Sequence, residues 1–389
     1  MLIKNRTRVA LPGWLFDERR ERVAWALWGL VFSVFTLVSI FRPGMREVVH
    51  VYRKASTAWL SGQEIYPAID YPPTFVILFV PFAKMPLAVS EILWRTLGMG
   101  IFVSSLWRLS RLIDPGPRKL FFLVSILSLQ AALGSIKNGQ TNLLLAGAMA
   151  HASVDWAAAR RRAAVGWLIV AAVAKPIAIV MILLLGAAEI SLIPWIAGGL
   201  LLAGAVPLLF DPWSSVVHQY RGWYGDILSI ASSEENRFDD VNGLFRTLHV
   251  HVPASWMVLL RILAAALTLL VWLVVARRMV HPQRGLMLFS LSAAYLMLFN
   301  PRTESNSYVI LSTAIAALAA LFLVQGRRLG WLLVGLEAAM WNGSFGKQIW
   351  LMTKLWLMPV VAAVFLAVLI AEAWRSTRRN WQPATATTP

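Results

Sequence analysis

The chain has 389 residues, of which 58% are hydrophobic and 14% charged, and its mean hydropathy is +0.65. Soluble domains have about a quarter of their residues charged, so this composition excludes a water-soluble protein. The net charge of +17 does not indicate nucleic-acid binding, because the basic residues lie at the ends of apolar segments. The absence of cysteine excludes disulfides, thiolate metal sites and a thiol nucleophile.

Apolar blocks of about 20 residues, among them 23–40, 192–210 and 255–276, match the thickness of the hydrocarbon core of a bilayer. They predict helices, because membrane-spanning β-strands would alternate apolar and polar residues over about 10 positions. The sequence therefore predicts an all-α integral membrane protein, a bundle of about 10–12 membrane helices of which two are broken or re-entrant.

Basic clusters between the apolar blocks predict the orientation, because short basic loops face the cytosol. The pattern predicts a cytosolic segment at 1–22, a transmembrane domain at 23–373 and a cytosolic tail at 374–389. Two longer loops, 42–72 and 211–253, are predicted on the extracytoplasmic side, where we expect function. The second loop is acidic, and we expect it to be solvated. The basic clusters lie at 4–22, 108–119, 160–162, 277–284, 327–328 and 375–379.

Two segments do not fit a simple series of crossings. Residues 73–86 are too few to span a bilayer, and the loop charges place both ends outside, which favours a re-entrant helix. Residues 163–187 could form one span, but they carry Lys175-Pro176 near the middle and both ends are predicted inside. A broken hairpin beside a cavity satisfies this pattern, because irregular backbone at membrane depth needs protein or water around it. The alternative is one tilted span with a proline kink.

Apolar residues recur at helical spacing along residues 46–60 and predict an amphipathic helix at the membrane interface. Its basic residues, including Arg53, either hold a lipid phosphate or extend to headgroups. Glu47 and His50 lie at the start of this helix. A carboxylate that is partly desolvated suits a general base, so Glu47 is the preferred base and His50 the second candidate. The alternative for both residues is solvation at the surface.

Lys175 is an ionisable side chain inside an apolar segment, which costs about 2.5–3.5 kcal/mol on insertion scales. A cation in a wet cavity would stabilise an anion such as phosphate, and the alternative is an ion pair with a buried carboxylate. Arg302 offers a planar fork for phosphate, and Glu304 could orient it or bind sugar hydroxyls. A salt-bridged turn is the alternative for that pair.

The Gly139-Gln140-Thr141-Asn142 segment lies between two apolar blocks on the predicted outer side. Its amides and hydroxyl can bond a sugar or a diphosphate, and glycine admits close approach of the backbone. The alternative is a helix N-cap by Thr141 or Asn142. No phosphate-binding loop, metal cluster or nucleophilic serine motif occurs, so no cofactor is predicted and metal dependence stays open.

Five short blocks carry a resemblance to a known family. In chain order they are Val51-Tyr52-Arg53-Lys54-Ala55, Tyr71-Pro72-Pro73, Gly139-Gln140-x-Asn142, Lys175-Pro176 and Asn242-Gly243-Leu244 with Arg246. Together they resemble glycosyltransferase family 87, polyprenyl-phosphate-sugar-dependent enzymes of the GT-C architecture that include bacterial α-mannosyltransferases. One departure is Val48, because family members usually carry an aspartate, the base, at that position, and here Glu47 is its neighbour.

The resemblance implies a GT-C-type fold and an inverting transfer of a hexose, with mannose favoured. The donor would be polyprenyl-phosphate-linked and the acceptor a hydroxyl on a lipid or glycan, at the extracytoplasmic face of a bacterial cytoplasmic membrane. The residues expected to bind the donor phosphate are Lys175, Arg302, Arg246 and Arg53. The residues expected to bind sugar or substrate are Tyr52, Tyr71, Gln140, Asn142, Asn242 and Glu304.

A transporter or flippase for a lipid-linked or anionic substrate is the competing class, because broken helices and a lysine at membrane depth suit it equally. Such folds usually show repeated halves, and this sequence shows none. The long outer segments favour an enzyme that acts on lipid-linked substrates. Membrane lipids are expected partners, and nucleic acid is not.

Overall fold

The computed structural model describes residues 17–44, 47–66, 68–114, 120–232, 238–279, 281–301 and 303–379. The described residues are 84% helical, and they form 17 α-helices and no strand. The prediction of an all-α protein is confirmed. In chain order the helices are α1 Glu18–Phe41, α2 Glu47–Leu60, α3 Pro73–Lys84, α4 Leu87–Ile113, α5 Phe121–Asn138, α6 Asn142–Ala157, α7 Arg161–Ala174, α8 Ile179–Ala188, α9 Ile193–Ala205, α10 Trp213–Ser232, α11 Val241–Thr247, α12 Ala254–Arg278, α13 His281–Phe299, α14 Val309–Val324, α15 Leu329–Ala339, α16 Lys347–Thr353 and α17 Leu357–Arg379.

Seven helical stretches within the described ranges are long and apolar enough to cross a membrane. The longest, α4 and α12, have 27 and 25 residues. At about 1.5 Å per residue, each exceeds the roughly 30 Å of a hydrocarbon core. Four shorter apolar helices, α3, α8, α13 and α15, pack against the longer ones. The protein is therefore a multi-span membrane bundle. The seven stretches are Glu18–Phe41, Leu87–Ile113, Phe121–Asn138, Ile190–Leu209, Ala254–Arg278, Ser305–Val324 and Leu357–Ser376.

Helices α6 and α14 form the centre of the bundle. All sixteen residues of α6 are buried, whereas α9 and α12 expose leucines on their outer faces. Small residues predominate in α6, which lets α4, α7 and α13 approach it closely. At Gly147 an added Cβ would lie 2.9 Å from the Cα of Phe102, so the backbones of α6 and α4 touch at this point.

Gly147→Ala is expected to destabilise the protein by about 1–3 kcal/mol, because the added methyl group must separate α4 from α6. The matched control is Gly166→Ala on α7, where the methyl group would meet nothing within 4 Å. That change should be neutral or stabilise by up to about 1 kcal/mol. Thermal unfolding of both variants in detergent measures the difference, and equal melting temperatures would contradict the close packing at Gly147.

Helices α7 and α8 form a broken hairpin. The helix stops at Lys175, whose backbone is extended (φ −154°, ψ 125°), and resumes in a 3₁₀ turn at Pro176. The two ends of the hairpin that are remote from Lys175 lie together, because Arg161 at the start of α7 forms an ion pair with Glu189 after α8. Trp156 Nε1 on α6 also donates to Glu189, at 2.7 Å. The prediction of a broken hairpin is confirmed, and the alternative of a single kinked span is wrong, because the chain returns to the level at which α7 begins.

Helix α3 is the short helix predicted between residues 73 and 86. It has 12 residues, ends at Lys84 and is separated from α4 only by Met85 and Pro86. The guanidinium of Arg53 on α2 donates from NH1 to the carbonyl oxygens of Phe82 at 2.8 Å and Met85 at 2.7 Å. These bonds satisfy free carbonyls at the end of α3, so Arg53 fixes the amphipathic helix α2 against α3.

The described parts of the segment 211–253, residues 211–232 and 238–253, contain helices that pack on the bundle. These helices are α10 and α11, and α10 packs against α3 and the end of α9. The hydroxyl of Tyr220 on α10 donates to the carbonyl of Gly204 at 2.8 Å, while Trp59 Nε1 on α2 donates to Asp211. The two predicted outer segments therefore pack on each other at the same end of the bundle.

Candidate active site

The loop between α5 and α6 is rigidly held and forms one wall of the candidate site. Gly139 has φ +63°, which favours glycine, and a Cβ there would lie 2.5 Å from Cγ2 of Val49. Trp94 Nε1 donates to the carbonyl of Gly139 at 2.8 Å, and Arg95 Nε donates to the carbonyl of Ile136 at 3.0 Å. The side chain of Val49 on α2 can pack on this loop because residue 139 has no Cβ.

Arg95 is buried and carries its own counter-ion, which makes it a structural residue of this wall. Its NH1 lies 2.9 Å from Oε2 of Glu91 in an ion pair of two buried side chains. Oε1 of Glu91 accepts from the backbone N–H of Gly44 at 2.8 Å. One buried pair on α4 thus anchors both the segment after α1 and the end of α5.

Four of the predicted site residues form one chain of hydrogen bonds. Lys175 Nζ at the tip of the hairpin donates to Asn142 Oδ1 at 2.7 Å. Asn142 Nδ2 donates to Gln140 Oε1 at 2.9 Å. Gln140 Nε2 then donates to Glu304 Oε2 at 2.9 Å. Residues from three separate parts of the sequence therefore meet in one row of polar groups.

The charge of Lys175 is half-buried beside a neutral amide. Among the residues that the structure describes, no carboxylate forms an ion pair with its ammonium group, and its printed hydrogen bond goes to Asn142. A half-buried cation that faces amides can still stabilise an arriving anion, because no fixed counter-ion competes for it. Glu304 lies at the far end of the row and is exposed.

A second chain of hydrogen bonds joins two predicted tyrosines to the same loop. The hydroxyls of Tyr52 and Tyr71 lie 2.8 Å apart, and the Tyr71 hydroxyl lies 3.1 Å from Oγ1 of Thr141. Burial raises the pKa of Tyr52, so this phenol stays protonated at neutral pH. Tyr66 donates to the carbonyl of Tyr71 at 2.7 Å and fixes the loop that carries it.

The remaining predicted residues are divided between described and undescribed positions. Asn242 lies at the start of α11 and is half-buried, and Arg246 lies in its last turn and is exposed. His50 is exposed on α2. Arg302 and the side chain of Glu47 lie outside the described residues, although the backbone of Glu47 begins α2. The NH1 group of Arg53 caps α3, and its contact with a donor phosphate stays a prediction.

Asp239 was not singled out from the sequence, yet it lies next to the Glu304 turn. Its backbone N–H donates to the carbonyl of Thr303 at 2.9 Å, and its carbonyl accepts from the Tyr308 hydroxyl at 2.6 Å. Its carboxylate accepts a hydrogen bond from Ser305 Oγ. Burial raises the pKa of Asp239 to about 6, although the Ser305 hydrogen bond and the charge of Lys354 act against this.

The expectation that the acidic residues of segment 211–253 are solvated is wrong for Asp239 and Asp240. Both are buried, at 4% and 2% exposure. Asp240 caps α11 by accepting from the backbone N–H groups of Asn242 at 2.9 Å and Gly243 at 3.1 Å. The Asp-Asp pair before a polar helix start was the available signal, since aspartate is a preferred N-cap. Charge alone gave no sign that the loop folds over the turn at Thr303.

The raised pKa of Asp239 predicts a pH-dependent cost in stability. Between its ordinary pKa near 3.8 and its folded pKa of about 6, the folded protein holds a proton that the unfolded chain has lost. The contribution of this group to the free energy of unfolding therefore falls as pH rises through that window, by at most about 3 kcal/mol. Asp239→Asn should then be more stable than wild type at pH 7 and of equal stability near pH 4.

Thermal unfolding of wild type and Asp239→Asn in detergent at both pH values checks this expectation. The matched control is Asp70→Asn, which changes an exposed carboxylate in the other outer segment and should show no such pH dependence. A difference between Asp239→Asn and wild type that is the same at both pH values would contradict the raised pKa.

An apolar cavity of about 330 Å³ opens beside the row of polar groups. Its walls come from α3, α4, α6, α7 and α9. It reaches Ala174, the residue before Lys175, and Leu144, two residues after Asn142. Aromatic rings of Phe75, Phe79 and Trp94 form one side. The site therefore combines a polar row that contains a cation with an adjoining space that suits a hydrocarbon chain.

No group of three or more histidine or acidic side chains is placed to hold a metal ion in the parts of the chain that the structure describes. The chemistry that the described groups offer is hydrogen bonding, positive charge and carboxylate basicity. A cation can bind an anion, amides and phenols can bind hydroxyl groups, and a carboxylate can accept a proton.

The sequence profile of glycosyltransferase family 87 matches residues 69–301, which is more than half of the chain. No curated protein sequence matches the chain significantly. The matched region contains Tyr71, Gln140, Asn142 and Lys175, which the structure brings to one site. The chain therefore belongs to glycosyltransferase family 87 and is a membrane glycosyltransferase.

Proposed function

We propose that the protein transfers a hexose, with mannose the favoured sugar, from a polyprenyl-phosphate donor to a hydroxyl of a lipid- or glycan-linked acceptor. The observation that carries this proposal is the row of Lys175, Asn142, Gln140 and Glu304 beside an apolar cavity. A lipid-linked sugar phosphate has the same three parts in sequence: a hydrocarbon chain, a phosphate and a ring of hydroxyls.

Lys175 is the proposed partner of the donor phosphate. Its chain neighbour Ala174 lines the apolar cavity, so an isoprenoid chain in the cavity would bring its phosphate near this cation, which is bonded to Asn142. A fixed positive charge in a site with little water stabilises the negative charge that develops on a leaving phosphate. Arg302, Arg246 and Arg53 are the further proposed phosphate ligands.

The amides and tyrosines are the proposed sugar-binding groups. Gln140 and Asn142 each offer a donor and an acceptor, which suits the hydroxyls of a sugar ring. Tyr52 and Tyr71 present a hydrogen-bonded pair of phenols against the same loop. Glu304, just before the 3₁₀ turn that leads into α14, and Asn242, at the start of α11, are the other two proposed sugar-binding residues.

The proposed reaction is an inverting displacement. A base takes the proton of the acceptor hydroxyl, the acceptor oxygen bonds to the anomeric carbon, and the bond from that carbon to the phosphate oxygen breaks. The polyprenyl phosphate leaves with the electron pair and needs no strong acid to protonate it. Glu47 is the proposed base and His50 the second candidate. The buried carboxylate of Asp239 accepts from Ser305, the residue after Glu304.

The proposed orientation places this site on the extracytoplasmic face of a bacterial cytoplasmic membrane, with both termini in the cytosol. The basic clusters support it, because their described residues lie at the other ends of the helices. The proposed domain boundaries are those expected from the sequence: residues 1–22 and 374–389 are cytosolic, and residues 23–373 form the transmembrane domain.

The test is transfer by the purified full chain. Labelled polyprenyl-phosphate mannose is offered with an alkyl mannoside and, separately, with lipids extracted from a bacterial membrane. The expected result is label in a new glycoside together with free polyprenyl phosphate. Label delivered only from a nucleotide sugar would contradict the proposed donor. Movement of unchanged donor across vesicles without a new glycoside would instead support the transporter class.

A further inference from the structure

A second cavity lies at the end of the bundle opposite to the candidate active site. It has a volume of about 430 Å³ and is bounded by residues of α12, α13, α14 and α17. Helix α14 begins at Val309, four residues after Ser305 at the candidate site, and its 16 residues rise about 1.5 Å each. The cavity, which reaches Gln325 after the end of α14, is therefore about 25 Å from the site along the helix axis.

The inner wall of this second cavity is apolar. Leu318, Leu321 and Phe322 of α14 and Met287 of α13 line it together with Leu369 of α17. Such a surface is complementary to hydrocarbon. A cavity for a free phosphate or nucleotide would not need this wall, because its ligand would have no apolar part to cover.

The mouth of the cavity is cationic. Among the described residues, Arg278, Arg327 and Arg375 line it together with one carboxylate, Glu372. Both terminal nitrogens of the Arg327 guanidinium donate to Glu372, at 2.8 and 2.5 Å. The guanidinium carbon also lies 3.9 Å from the centre of the Phe322 ring. The formal charges of these four described side chains sum to +2 at the mouth of an apolar cavity.

The arrangement of Glu372 preserves part of this charge for a ligand. Arg375 lies 4.0 Å from Glu372, at the limit of an ion pair, and its side chain is 53% exposed. Arg327 is held in place by its two bonds to the carboxylate, so its guanidinium is preorganised at the inner edge of the mouth. A fixed inner arginine and an exposed outer arginine are suited to a phosphodiester that enters from the membrane surface.

We propose that this cavity binds an anionic phospholipid, with the phosphodiester among Arg278, Arg327 and Arg375 and an acyl chain against α13 and α14. The proposal is independent of the transfer reaction. In the orientation proposed above, the lipid would come from the cytosolic leaflet, whose anionic lipids attract basic residues near the membrane surface.

The test compares lipid binding to the purified full chain by native mass spectrometry. Phosphatidylglycerol and phosphatidylcholine with identical acyl chains are added at equal concentration. We expect wild type to retain phosphatidylglycerol preferentially and the double variant Arg278→Gln, Arg375→Gln to bind it about tenfold more weakly. The matched control, Arg277→Gln with Arg328→Gln, removes the same charge at the same end from residues that do not line the cavity, and it should stay within about twofold of wild type.

A third variant, Leu321→Trp, tests the apolar wall. It fills the cavity without changing charge, so phosphatidylglycerol binding should fall although the arginines are intact. Lys175→Ala should retain the lipid as wild type does, which separates this site from the proposed donor site. Equal losses in the two double arginine variants would overturn the proposal, because a diffuse basic surface would then explain the binding. Displacement of the lipid by an equal concentration of glycerol phosphate would overturn it too, because the ligand would then be a free phosphate ester.

Discussion

Lys175→Ala should lower the turnover of a polyprenyl-phosphate sugar by about 10²–10³. The reason is the position of this cation at the tip of the hairpin, half-buried and bonded to an amide that carries no charge. Negative charge on the lipid phosphate grows as the bond to the sugar breaks, so the ammonium group binds the transition state more strongly than the donor. The loss should therefore fall mainly on kcat and less on KM.

The measurement is initial-rate transfer with purified variants at several donor concentrations. Lys137→Ala is the matched control, because Lys137 is an exposed lysine at the end of α5, two residues before Gly139. Its removal should change turnover by no more than about twofold. Melting temperatures establish that each variant is folded. A folded Lys175→Ala protein with wild-type turnover would remove Lys175 from the mechanism.

Glu47→Gln should lower turnover by about 10²–10⁴, the contribution of a positioned general base. The backbone of Glu47 begins α2, two residues before Val49, which packs directly against Gly139. The start of α2 is therefore next to the loop that carries Gln140 and Asn142. Glutamine keeps the size and hydrogen-bonding capacity of the side chain and removes only its basicity.

The matched control for this base is Glu64→Gln, an exposed glutamate in the same outer segment, which should transfer at the wild-type rate. Turnover of the wild type should also fall on the acid side of its pH profile as the base becomes protonated, and this limb should disappear in Glu47→Gln. Wild-type turnover in Glu47→Gln together with a large loss in Asp239→Asn would assign the base to the buried aspartate. Loss in neither variant would leave His50 as the candidate to test.

Asp239→Asn, although expected to be more stable than wild type at pH 7, need not be the more active protein. A carboxylate that is 4% exposed and has a pKa of about 6 costs free energy at neutral pH. Such a group is retained more readily where the protein uses its charge. Asp239 joins segment 211–253 to the turn that carries Glu304, so its use would be to hold the Glu304 end of the row in place.

Local sequence patterns determined the membrane helices, the amphipathic helix α2 and the broken hairpin. Each of these follows from forces that act within one segment: the length of an apolar block, the spacing of apolar residues, and the inability of Pro176 to continue the hydrogen bonding of α7. The short polar motifs also singled out Gln140, Asn142, Lys175 and Glu304, whose roles stay predictions. Their types indicated binding chemistry before their positions in space were known.

Contacts between distant segments required the tertiary structure. No local pattern states that Lys175 reaches Asn142 or that Gln140 reaches Glu304, because these pairs are 33 and 164 residues apart in the chain. The sequence alone predicts that Arg53 is a cation at the membrane surface. The structure places the end of α3 beside it, where the carbonyls of Phe82 and Met85 accept hydrogen bonds from its guanidinium. The sequence alone predicts that Asp239 is solvated, whereas in the structure the turn at Thr303 covers it. Burial and pKa depend on what packs over a residue, and that is decided by segments far away in the sequence.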